Sequence, residues 1–118
     1  MKKLLYFLFT GIFTAILFFG SCEKVVYPPV EKPQDVSYTN DVQPIFDGKC
    51  VDCHGGGNPP NLKPGVSHGQ LISGGYIDTA NPSESKLIKQ LYGEHDAKAA
   101  EKDKLTILAW IEEGAKNN

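Results

Sequence analysis

Cys50-Val51-Asp52-Cys53-His54 is the stretch whose reading decides the fold. Cys-x-x-Cys-His is the spacing at which c-type haem is attached. Two thiols two residues apart reach the two vinyl groups of one porphyrin and become thioethers. The adjacent histidine then lies under the iron as its proximal ligand. The motif therefore predicts haem c bound through Cys50 and Cys53, with His54 on the metal. A zinc site using the same residues needs a fourth ligand and usually a second Cys or His pair. The remaining histidines, His68 and His95, form no such pair. A thioredoxin-like dithiol belongs in a βαβ context, and the chain has no such alternation.

The N-terminus reads as an export signal over residues 1–21. Lys2 and Lys3 supply the positive start, Leu4 to Phe19 an apolar run, and Gly20-Ser21 a small-residue boundary. The run is shorter than the roughly 20 residues of an ordinary membrane span. Cys22 follows directly, and Phe19-Gly20-Ser21-Cys22 resembles a bacterial lipobox, with Phe19 in place of the usual aliphatic residue. That resemblance implies lipidation of Cys22. Lipidation at Cys22 and thioethers at Cys50 and Cys53 would account for all 3 cysteines.

Beyond residue 21 one small domain is expected. It keeps all 14 acidic residues and loses two of the 12 basic ones, every one of which is a lysine. The balance is acidic, and no basic patch points to nucleic acid. Residues 22–37, with Pro28, Pro29 and Pro33, read as an extended, semi-rigid tether, and residues 38–118 as the domain.

Within the domain Asp41 is the expected cap of a first helix running towards Cys50. Ser67 to Ile72 forms a short helix ended by Gly74-Gly75. Asn81-Pro82-Ser83-Glu84 reads as a capped helix start, with Leu87, Ile88 and Leu91 on its buried face. A last helix is expected from after Asp96 to about Glu113, with Leu105, Leu108 and Ile111 at helical spacing. No alternating strand pattern is visible, so the expected fold is all-α, with three to five helices around one haem.

Residues 38–116 resemble class I cytochrome c domains. Tyr38-Thr39-Asn40-Asp41-Val42-Gln43-Pro44-Ile45-Phe46 is similar to the opening helix of the small bacterial branch, and Trp110-Ile111-Glu112-Glu113-Gly114-Ala115 to its closing helix. The resemblance implies a cytochrome c-like fold in which those helices cross, bringing Phe46 and Trp110 together beside the haem. It also implies haem attachment outside the cytoplasmic membrane, in keeping with an export signal. Pro60-Asn61-Leu62 resembles a further family element. There the proline carbonyl accepts from the proximal histidine, and the leucine presses on the haem. Such a bond fixes the ring and makes the ligand more basic.

The departure from the family is at the sixth iron position, usually a methionine before the last helix. The sole methionine here is Met1. His95 stands in the right stretch and is the leading distal candidate, with His68 the runner-up and water, lysine or an open site as alternatives. Exchanging methionine for histidine lowers a haem potential. These features predict a lipid-anchored monohaem electron carrier of the cell envelope. Its domain would face the periplasm or exterior, its partners would be redox proteins, and it would not be an enzyme in its own right. An open sixth site would instead suit a haem-based ligand-binding or sensor protein, with peroxidase-like side activity. Polypeptide matured with haem is expected to stain for peroxidase activity after denaturing electrophoresis, and to lose the stain when Cys50 and Cys53 are both replaced by serine. A folded but colourless wild type would rule out the haem assignment.

Overall fold

The computed structural model describes residues 29–118. The expected signal segment, Cys22 and the first part of the expected tether lie outside the described residues. The described residues are helical, with no strand among them, and none of their helices is long and apolar enough to cross a membrane. The order is a π-helical turn Tyr38–Val42 leading into α1 (Gln43–Lys49), α2 (Val51–His54), α3 (Ser67–Ser73), α4 (Lys86–Leu91) and α5 (Glu101–Glu112). Two 3-10 turns, Pro82–Glu84 and Asp96–Lys98, precede α4 and α5.

Helix starts differ from those read in the sequence, for local reasons. The first helix is capped by Ser37, whose hydroxyl accepts from the Asn40 N–H at 3.2 Å. Asp41 is the acid of the same cap and accepts from the Ser37 N–H at 2.8 Å. The arrangement is a reciprocal box in which the wider π turn puts the acid four residues after the cap instead of three. Asn81 starts only the 3-10 turn, accepting from the Glu84 N–H through its backbone carbonyl at 2.9 Å. Ser85 then turns extended, at φ −50° and ψ 135°, and α4 begins after it. Ala99 and Ala100 are likewise extended, so α5 starts at Glu101 and not directly after Asp96.

The core gathers Val42 and Phe46 from the first helix, Leu62, Leu71, Leu87, Ile88 and Leu91 from the middle, and Ile107, Trp110 and Ile111 from α5. The opening turn packs on α5 through Tyr38, whose ring lies 5.0 Å from that of Trp110 and 6.4 Å from that of Phe46. Tyr38 is thus the link between the two aromatics. Its hydroxyl donates to Ser67 Oγ at 2.7 Å, Ser67 donates to Gln43, and Gln43 donates to the Leu62 carbonyl at 2.9 Å and to Asp47 at 2.7 Å. This buried chain of partners ties α1, α3 and the Leu62 loop, and leaves none of its polar side chains orphaned.

Part of the expected tether is docked. Lys32 pairs with Glu112, and the N–H groups of Asp35 and Val36 donate to the Glu113 carboxylate at 2.9 and 2.8 Å. Val36 is buried. Tyr38 and Thr39 donate to the Asn118 side chain and carbonyl, both at 2.9 Å. Gly114, at φ +99°, ends α5 in the left-handed conformation that suits glycine, and the Ala115 N–H closes back on the Trp110 carbonyl at 2.9 Å. Ser37→Ala removes the cap acceptor and should lower stability by about 1 kcal/mol. Denaturant melting checks this, with an unchanged midpoint counting against the cap.

Candidate functional site

The Cys-x-x-Cys-His stretch folds as a helical turn. The N–H groups of Cys53 and His54 donate to the Cys50 carbonyl at 3.2 and 2.8 Å. This turn places the two cysteines one helical step apart and His54 at the end of the helix. Both thiols are free, Cys50 partly buried and Cys53 exposed. Gly55 follows because nothing larger fits: a Cβ there would come within 2.7 Å of the Val51 carbonyl oxygen. The chain then loops out and returns, with the Leu62 N–H donating to the His54 carbonyl at 2.8 Å. Asn58 donates to the Cys53 carbonyl at 3.1 Å. Leu62 is buried, held by Gln43 through its carbonyl, and Pro60 is buried beside it in sequence.

His95 comes from the other side of the domain. The turn after α4 carries it, with its N–H donating to the Gln90 carbonyl and its carbonyl accepting from the Lys98 N–H, both at 2.9 Å. This turn brings the His95 ring to 6.1 Å from the His54 ring, centroid to centroid, with the planes at 51°. In each ring the Nδ1 atom is buried and has no hydrogen-bond partner. The bond expected from His54 to the Pro60 carbonyl is therefore not made at Nδ1. Two buried orphan nitrogens at one place are unusual, because buried polar atoms are nearly always paired.

The separation has a chemical meaning. An imidazole nitrogen binds a first-row metal at about 2 Å, and the ring centre lies about 1 Å behind that nitrogen, so two rings sharing one ion stand about 6 Å apart. The His54 and His95 rings have that spacing. Among the described residues no group of three or more His, Cys, Asp or Glu side chains converges as a metal site. The histidine pair could supply two ligands to an ion.

The other sequence candidates, His68 and Trp110, pack with each other and with Tyr38. His68 packs edge-on against Tyr38 at 5.0 Å and against Trp110 at 5.9 Å, and its Nε2 is 2.8 Å from the Ala115 carbonyl oxygen. Trp110 is fully buried and donates its indole N–H to the Lys116 carbonyl at 2.8 Å. A cavity of about 140 Å³ beside Trp110 is lined by Asp35, Val36, Glu113, Lys116 and Asn118, and by no residue of the Cys-x-x-Cys-His turn.

Sequence reasoning missed two residues beside His95. Lys104 of α5 is buried, pairs with Asp96, and lies 4.8 Å over the Tyr92 ring. Tyr92 donates its hydroxyl to Glu101 at 2.8 Å. Burial and the Glu101 carboxylate push the Tyr92 phenol up to about 12, so it stays protonated as the donor. A lysine on a helix normally reads as solvent-facing; the acid eight residues earlier was the available sign.

One curated protein is similar to this chain. It is hydrazine synthase subunit alpha from Kuenenia stuttgartiensis. The identity is 38% over 83 residues, covering 66% of this chain and 10% of that protein. The chain thus spans about a tenth of its relative's length. No protein-family profile matches the chain, and no solved structure matches it.

Burial pushes the Cys50 thiol up, the Asp103 carboxylate and Cys53 add to this, and the Lys49 ammonium opposes it. The nucleophile is the thiolate, and its fraction at a given pH falls as the pKa rises. In haem-free protein Cys50 should therefore alkylate more slowly than an unstructured cysteine, and its rate should climb at higher pH. Mass spectrometry of iodoacetamide-treated protein over a pH series checks this. Rates equal to those of the denatured chain would remove the argument.

Proposed function

We propose that this protein is a monohaem c-type cytochrome that carries single electrons at the cell envelope. The observation that carries the proposal is the His54–His95 pair, 6.1 Å apart and next to the free thiols of Cys50 and Cys53. The donor set fits the group. Cys50 and Cys53 would hold haem c through thioethers, His54 would be the proximal ligand and His95 the distal one. The fold would be of the class I cytochrome c type, with Leu62 and the Pro60 loop at the pocket. When bound, the haem supplies an iron that cycles between two oxidation states.

The chain's own residues do the rest. Cys50 and Cys53 would hold the macrocycle in place, and the short helical turn fixes His54 relative to them. His95 would be the second protein ligand, which would keep small ligands off and favour electron transfer over ligand binding. Two imidazole ligands would also hold the potential below that of a histidine–methionine site. Lipid on Cys22 would anchor the domain to the membrane, and among the described residues Lys32 is the first to pair with the domain. The partners would then be redox proteins, and no enzymatic activity of its own is assigned. Similarity to a tenth of a large enzyme subunit is what a compact module would give. The activity in that subunit's name is not carried over to this chain.

In the haem-loaded protein, His95→Ala should turn a low-spin spectrum towards high-spin and admit carbon monoxide to the ferrous iron. His68→Ala should leave the spectrum near wild type, because His68 is engaged with the Ala115 carbonyl. The opposite pattern would reverse the ligand assignment. A wild type that is already high-spin would favour a ligand-binding or sensor protein.

A further inference from the structure

A metal-bound histidine is normally oriented by its second ring nitrogen, which donates to a carboxylate, carbonyl or water. His95 has no such bond: its Nδ1 is buried and without a partner. The ring direction must then come from the backbone turn that carries it. That turn is bracketed by Tyr92 and Asp96, and both are held by side chains of α5. Glu101 accepts from the Tyr92 hydroxyl at 2.8 Å. Lys104, one helical turn further on, pairs with Asp96 and lies 4.8 Å over the Tyr92 ring.

Lys104 is the unusual member. Its side chain is only 5% exposed, whereas the Asp96 side chain is 65% exposed. Burying an ammonium is costly unless it is paired. Here the charge has one carboxylate and one aromatic face, both on the His95 turn. A lysine turned outward would be fully hydrated at no such cost, so the buried position is informative. The ammonium ties the two ends of the turn to one point of α5, a helix fixed in the core through Ile107, Trp110 and Ile111.

We infer that Lys104 is a positioning residue for His95, clamping the Tyr92–Asp96 turn so that the imidazole faces His54. The inference rests on His95 as the second iron ligand, proposed above. Lys104 touches neither iron nor ligand in this role; it acts through Asp96 and Tyr92.

The test uses the haem-loaded protein. Lys104→Met keeps the length of the side chain and removes the charge. It should add high-spin character to the ferric spectrum and speed carbon monoxide binding to the ferrous protein by roughly 10- to 100-fold, the usual scale for loss of an outer-shell partner. Lys104→Arg should restore the wild-type spectrum, since it keeps the pairing. In a His95→Ala background Lys104→Met should change neither reading further. Should Lys104→Met fail to accumulate, Asp96→Ala removes the same pair from its exposed side and should give the same shift in the same direction. A low-spin, carbon monoxide-resistant protein in the Lys104→Met variant, or in Asp96→Ala where that variant is lost, overturns the clamp. Insensitivity of the spectrum to His95→Ala overturns the ligand assignment instead, so the two failures are told apart.

Discussion

Tyr38 is the point on which the rest of the domain depends. Its ring fills the space between Phe46, Trp110 and His68, and its hydroxyl begins the buried series through Ser67 and Gln43 to the Leu62 carbonyl. One side chain thus joins the opening turn, α3, α5 and the loop that returns to His54. Aromatic contacts of this geometry add to simple area burial. The hydroxyl must also be matched, since an unpaired buried polar group costs more than a made bond returns. Tyr38 meets both demands, and the surroundings are shaped around it. Burial accordingly raises its phenol pKa, against the opposing effect of the Ser67 bond.

The site is built on that frame from two independent directions. A short helical turn sets Cys50, Cys53 and His54 by local geometry alone. His95 arrives from a turn some forty residues later, and its approach depends on the packing of α4 against α5. The first half of the site is therefore a property of five consecutive residues, and the second a property of the tertiary structure. The His54 and His95 rings, 6.1 Å apart, mark where the two halves meet.

Legibility in the sequence follows the same division. The all-α character and the apolar face of α4 could be read directly, because each rests on spacing of a few residues, whereas of the α5 stripe Leu105, Leu108 and Ile111 only Ile111 is fully buried. The helix starts could not. Ser37 was hidden by the extra residue of the π turn, which moves the reciprocal acid from the usual third place to Asp41. Asn81 carried every sign of a cap, but Ser85 interrupts the helix because its hydroxyl accepts from the Asp78 N–H at 2.9 Å. Tertiary docking also decided the fate of the arm: Glu113, the residue that follows α5, captures the backbone of Asp35 and Val36, which local composition marked as linker. Lys104 illustrates the remaining gap. Its burial depends on an acid and a ring brought from a turn, and no periodicity within α5 announces it.

The burial of Trp110 has a practical consequence. It is the single tryptophan of the whole chain, and it sits where the opening turn meets α5. In haem-free protein its indole emission therefore comes from one known place and is not averaged over several. A blue emission would mean that the first and last segments are joined, and a red one that they have parted, whatever the state of α3 or α4. The molecule carries its own optical gauge of closure, located at the seam that holds it together.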